Sequence, residues 1–148
     1  MIESVTRDNL TQAASVHALS WRESHSDICT AEFIALHTTE RQTRYLQGLM
    51  DRGASVYMLS DGEEPVGIVS VEGGVIGNLY VLPEEHGKGY GTQLLRFAMG
   101  KCAGTPTLWV LDTNRRAMAL YERNGFRATG QRHVLSDTLS EVEMRYEG

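Results

Sequence analysis

One stretch limits what this chain can become: His86-Gly87-Lys88-Gly89-Tyr90-Gly91-Thr92-Gln93-Leu94-Leu95. Upstream, Leu79-Tyr80-Val81-Leu82 is a short apolar run closed by Pro83, the pattern of a strand that stops there. Downstream, Gly91, Leu94, Leu95, Ala98 and Cys102 recur at spacings of three and four, one face of a helix. The segment therefore reads strand, tight glycine turn, helix. Glycines at alternate positions let the backbone turn sharply and present bare amides. Those amides fall where a helix N-terminus gathers unpaired donors and partial positive charge. The setting suits a phosphate or pyrophosphate, with Lys88 as an added cation.

Spacing excludes the two commonest phosphate loops. A Walker loop needs Lys-Ser or Lys-Thr after its last glycine, and Gly91 is followed by Thr92-Gln93. A dinucleotide fingerprint starting at Gly87 needs a third small residue where Thr92 stands, and an acidic residue about twenty positions on. Neither requirement is met. A glycine-rich loop with no ligand stays open on the glycines alone.

The rest of the chain supplies the frame. At 148 residues it is read as one domain, 1–148, large enough to bury a core without disulfides or metal. Fourteen basic against nineteen acidic side chains give a net charge of −5, which disfavours nucleic acid as a partner. Cys29 and Cys102 form no CxxC or metal-like pair, so the expectation is a reduced, cytoplasmic setting with no metal. No apolar run approaches the ~20 residues of a membrane span, and no export signal is visible.

In chain order, Ile2 to Thr6 reads as a strand and Thr11 to Glu23 as a helix. Thr30 caps a short helix through Phe33, Ile34 and Leu36; Thr38 or Thr39 caps another, running through Tyr45, Leu46, Leu49 and Met50 to Gly53. Val56 to Ser60 and Val66 to Val71 form a hairpin around Asp61-Gly62-Glu63-Glu64-Pro65, and Gly73-Gly74 turns into Val75 to Leu82. Thr107 to Leu111 is continuously apolar, the expectation for a strand covered on both faces. Reaching it from Leu82 through the Gly91 helix is a crossover, so these two strands run parallel. Asn114 caps the next helix, with Ala117, Leu120 and Tyr121 inward, and Gly125 ends it. Phe126 to Val134 and the alternating Val142, Met144 and Tyr146 are the last strands.

The glycine stretch resembles the acyl-CoA pyrophosphate loop of the GNAT superfamily of N-acetyltransferases: Gln or Arg, two residues, Gly, one residue, then Gly or Ala. Here it reads His86-Gly87-Lys88-Gly89-Tyr90-Gly91, with His86 departing at the first position. Asn114 to Phe126 (Asn-Arg-Arg-Ala-Met-Ala-Leu-Tyr-Glu-Arg-Asn-Gly-Phe) is similar to a second motif of that family, and the resemblance covers about residues 54 to 146. It implies a GNAT-like mixed α/β (α+β) fold, a mostly antiparallel sheet of about seven strands with one parallel crossover, flanked by helices. It also implies acetyl-CoA as co-substrate and transfer of the acetyl group to a primary amine.

What the resemblance implies for individual residues follows. The amides of Leu79 and Val81 meet the pantetheine and the acetyl carbonyl, and Gly87, Gly89, Gly91 and Thr92 hold the pyrophosphate next to His86 and Lys88. Asn114 reaches the pantetheine arm. Tyr121 protonates the leaving thiolate, although its residue type alone also allows a packed ring. Some family members carry a glutamate base at the start of the fourth strand, where this chain has Val75; Glu72 is the expected substitute, acting through water, with Glu23, His25 or ordered water as alternatives. Trp21, Glu23 and His25 are expected to contact a small-molecule amine acceptor, with Trp21 offering a ring face to a cation. No membrane partner is expected, and the chain acts as a monomer or homodimer. The competing reading is an acyl-CoA-binding sensor without turnover, disfavoured by the presence of Tyr121.

Overall fold

Thr30 and Thr38 each accept a hydrogen bond from the backbone amide three residues on, Phe33 and Arg41, at 3.2 Å. Each therefore supplies one of the acceptors a helix start lacks. Asn114 does the same for Ala117 at 3.1 Å. The computed structural model describes residues 1–26 and 29–148. Its elements are β1 (Ile2–Ser4), α1 (Leu10–Ser24), α2 (Ala31–Ala35), α3 (Thr39–Asp51), β2 (Ser55–Asp61), β3 (Glu64–Glu72) and β4 (Val75–Val81). A single 3-10 turn (Pro83–Glu85) leads into α4 (Tyr90–Met99), followed by β5 (Thr107–Leu111), α5 (Arg115–Arg123), β6 (Phe126–Val134) and β7 (Ser140–Tyr146).

The strands form one seven-stranded sheet in the order β1-β2-β3-β4-β5-β7-β6. Only β4 and β5 run parallel, joined through α4; the other neighbours are antiparallel. The last strand slots between β5 and β6, an order that the hydrophobic alternation of β7 does not dictate.

Two cores sandwich the sheet. On one face α1 and α3 bury Leu10, Ala13, Ala14, Leu46 and Leu49 against Val56, Met58 and Ile68. On the other, Leu94, Leu95 and Ala98 of α4 and Tyr121 of α5 pack on Leu59, Val69, Leu108, Val110, Phe126 and Met144. The expectation for Thr107 to Leu111 is corrected here. Leu108 and Val110 are buried under α4 and α5, but Trp109 on the opposite face is half-exposed. The α1–α3 core draws its strand residues from β2, β3 and β4 and none from β5, so that face of β5 stays open. Among the described residues no helix is long and apolar enough to cross a membrane. No group of three or more His, Cys, Asp or Glu among them is arranged to hold a metal ion.

Candidate active-site cleft

β4 and β5 pair only at Val75↔Thr107 and Ile76↔Leu108. Beyond that they separate, and the gap opens into a cleft of about 1030 Å³ lined by both strands, the glycine turn, α5 and the end of α1. The separation follows from one extra residue in β4. Gly67 faces Val81 and Ile68 faces Tyr80, but Ser70 faces Gly77, so Asn78 and Leu79 together stand opposite Val69. This is a β-bulge, which bends its strand and re-aims the neighbouring groups. Among the described residues Asn78 is the only non-glycine with positive φ, at 51°; asparagine tolerates that left-handed conformation better than most residues. Leu79 and Val81 line the cleft, next to backbone that has no β5 partner to satisfy it.

A buried polar network holds the bulge. His17 Nε2–H donates to Asn78 Oδ1 at 3.0 Å, and its Nδ1 accepts from Gln42 Nε2. Asn78 Oδ1 also accepts from the Tyr45 hydroxyl at 3.2 Å, while Asn78 Nδ2 donates to Ser70 Oγ at 3.0 Å. Burial lowers the His17 pKa to about 4, so at neutral pH the ring has one donor and one acceptor, as the two bonds require. Four elements, α1, α3, β3 and β4, thus converge on one asparagine. Sequence reading passed over this network. Its one local signal was an asparagine inside an otherwise apolar strand, next to Gly77.

At the other end, Gly87 and Gly89 adopt φ of +83° and +84°, and a Cβ at either would meet nothing within 4 Å. Gly89 caps α4 without any side-chain acceptor. The first turn of α4 thus borders the cleft with no side-chain cap on its amides, the setting that anion binding at a helix start requires. His86 Nε2–H donates to Val81 O at 2.9 Å, and Nδ1 accepts from Arg116 Nη1 at 2.6 Å. The residue that departs from the family pattern thus ties the end of β4 to α5 and holds a guanidinium beside the turn. Arg115, Arg116 and Arg123 all line the cleft. Lys88 does not: its ammonium lies 2.7 Å from Glu85 Oε2. Gly91 and Thr92 line the cleft, and a Cβ on Gly91 would sit 3.3 Å from Leu120, so α4 and α5 pack closely there.

Tyr121 and Tyr80 both reach the cleft. Burial pushes the Tyr121 hydroxyl up to about 12, and burial together with the Tyr121 neighbour raises that of Tyr80. Both carry their protons at neutral pH. The Asn114 Oδ1 is spent on capping α5, while its Nδ2 has no partner among the described residues.

The helical side departs from expectation in two places. Trp21 is stacked between His25 (ring centroids 3.9 Å apart) and His37 (3.4 Å), both nearly parallel to it. Its two faces are occupied, so it offers neither to a cation and does not line the cleft; Ser20, Glu23, Ser24 and His25 do. Glu72 is also corrected. It sits on exposed surface outside the cleft, gripped by Arg52 Nε at 3.1 Å and Nη2 at 2.9 Å, and this hydrogen bonding lowers its pKa. A paired, acidified carboxylate away from the cleft is no base for it. On the open face of β5, Trp109 stacks on His133 at 3.9 Å, and His133 Nδ1 pairs with Glu141 at 3.1 Å. Trp109, Leu135 and Glu141 close that side of the cleft.

The family model described as acetyltransferase (GNAT) domain matches residues 52–128. The chain is 32% identical over 76 residues to the peptidyl-lysine N-acetyltransferase YjaB of Salmonella typhimurium, a match covering 51% of this chain and 52% of that protein. The chain thus spans about half the length of the curated relative it matches. The PaiA N-acetyltransferase of Thermoplasma acidophilum, solved in complex with coenzyme A, superposes with a TM-score of 0.74 at 18% identity, covering 99% of this chain and 98% of that one. The putative acetyltransferase YncA of Salmonella typhimurium, solved with acetyl-CoA, gives 0.72 at 16% identity over 99% and 92%. At such identities the likeness shows the fold.

Proposed function

The chain belongs to the acetyltransferase (GNAT) domain family, and from that premise we propose that it moves an acetyl group from acetyl-CoA to a primary amine by direct transfer in a ternary complex. The observation that carries this reading is the splay of β4 from β5 beside a bare glycine turn, with a proton-bearing Tyr121 in the same cleft. The open space at Gly87 and Gly89 fits a pyrophosphate, and two proteins of like fold were solved with coenzyme A or acetyl-CoA.

In this reading the amides of Gly87, Gly89, Gly91 and Thr92 hold the pyrophosphate, with Arg116 oriented toward it by His86. Lys88, paired with Glu85, adds positive field rather than a direct contact. Leu79 and Val81, aimed by the bulge, present backbone groups to the pantetheine and to the carbonyl oxygen as it gains charge. Asn114 Nδ2 donates to the pantetheine arm. Tyr121 gives its proton to the departing thiolate. The residues 1–148 act as one catalytic domain, and two unpaired cysteines agree with a cytoplasmic site of action.

The acceptor is a small soluble amine entering past the end of α1, where Glu23 and His25 contact it and Trp21 supports the wall from behind. A second reading, favoured by the name of the Salmonella relative, makes the amine a lysine side chain of a protein. Thiol release from acetyl-CoA, measured across a panel of free amines and a panel of lysine-bearing peptides, separates the two: turnover of peptides alone excludes the small acceptor. Tyr121→Phe keeps the ring and removes the proton. It is expected to lower turnover by roughly 10²-fold with acetyl-CoA affinity unchanged, and wild-type turnover would assign Tyr121 to packing.

A further inference from the structure

We infer that the last turn of α1 is the acceptor-amine subsite, with Ser20 Oγ accepting a hydrogen bond from the amine and His25 Nε2 taking the proton it must lose. This rests on the acetyl-transfer reading above and supplies its base. Two independent observations meet here. Ser20 is 3% exposed and, among the described residues, its hydroxyl is the one buried side-chain polar atom without a hydrogen-bond partner. It lines the cleft. A buried hydroxyl left unpaired costs stability that a ligand N–H recovers.

The second is the set of the His25 ring. Its Nδ1 lies 2.8 Å from Trp21 O. Two lone pairs would repel at that distance, and Ser24 Oγ, 2.9 Å from Nδ1, gives its own proton to Trp21 O at 3.1 Å, so Nδ1 carries the proton and Nε2 keeps the lone pair. Stacking on Trp21, itself backed by His37, fixes the plane of the ring. The charged and titratable groups around it are His17, Arg22 and Glu23 on α1, His37 after α2, and Arg41 on α3, which acts on His37. Burial, with a smaller contribution from His37, lowers the His25 pKa, so the ring is in its basic form at neutral pH. Glu23, on the same cleft wall, draws in the amine while it is still an ammonium. The ligand class is a primary alkylamine.

The ammonium gives one proton to His25 Nε2, which releases it to solvent. The freed lone pair forms the N–C bond, and the C–S bond breaks with its electron pair going to sulfur. Tyr121 protonates the sulfur and recovers a proton from the second N–H through solvent. The sum is ammonium plus acetyl-CoA giving N-acetylamine, free thiol and one proton.

The test uses butylamine, 1,4-diaminobutane and Nα-acetyl-lysine amide on the coenzyme-saturated protein, with thiol release and the His25 ring NMR signals as readouts. The wild-type protein is expected to turn over at least one of them, and that amine shifts the His25 signals. His25→Phe keeps a flat ring on Trp21 and removes both nitrogens. It is expected to lower turnover at least about 10²-fold and to abolish the acidic limb of the pH profile, with coenzyme A affinity retained. Ser20→Ala is expected to raise the amine KM about 3- to 10-fold and leave the KM for acetyl-CoA alone. An intact acidic limb in His25→Phe, or coenzyme binding without turnover or His25 shifts for any of the three amines, overturns the subsite. Loss of coenzyme A binding by the wild-type protein overturns the acetyl-transfer reading itself.

Discussion

From Asn78 to Thr92 the cleft wall turns on backbone conformation: a bulged strand end, two left-handed glycines and a start of α4 with no side-chain cap. From Ser20 to His25 it is side chains: His25, held flat by Trp21 and His37 stacked behind it, and a Ser20 hydroxyl with no partner among the described residues. The first wall depends on which residues can adopt a conformation, and glycine spacing reports that directly. The second depends on which rings and hydroxyls meet after α1 and α2 have packed. A wall of amides suits an anionic group whatever side chains surround it; a wall of side chains changes with each substitution. The network of His17, Gln42 and Asn78 couples the two, because α1 and α3 hold the bulge from which β4 departs.

The contrast breaks most visibly at the glycines. Gly89→Glu puts a side chain in left-handed backbone and a carboxylate where a pyrophosphate would sit. Coenzyme A affinity by calorimetry is expected to fall about 10²- to 10³-fold, since like charges in contact cost several kcal/mol, with the fold retained by circular dichroism. Unchanged affinity would move the site elsewhere.

The coupling is tested at His17. Folded, it stays neutral down to about pH 4, whereas the unfolded chain takes up a proton near the ordinary value of 6.5. Between those values the unfolded state binds more protons, so this contribution to stability is full above pH 6.5 and is lost as pH falls to 4. A shift of that size corresponds to about 3 kcal/mol. Urea unfolding at pH 7 and pH 4.5 is expected to show that slope in the wild-type protein and to lose most of it in His17→Gln. An equal slope in both would remove His17 from the account.

The smallest effect belongs outside both walls. Glu72→Gln is expected to leave turnover within about twofold and the urea midpoint nearly unmoved, because an exposed ion pair is worth little. A large loss of turnover would return Glu72 to the mechanism despite its pairing with Arg52.

Much of this molecule was legible in the chain itself, for physical reasons. Period-two and period-three-to-four patterns, with the capping threonines and Asn114, specify where strands and helices lie. The crossover through α4 requires a parallel pair, and glycines at 87, 89 and 91 announce bare amides at a helix start. Side-chain pairing was not legible. Nothing near Glu72 in sequence announces Arg52, twenty residues away, and nothing near Trp21 announces His37 on its second face. The insertion of β7 between β5 and β6, the bulge at Asn78 and the open face at Trp109 likewise depend on what packs against each strand after collapse. Local backbone preference is written residue by residue, whereas the partners of a buried ring or a carboxylate exist only once distant segments share a core.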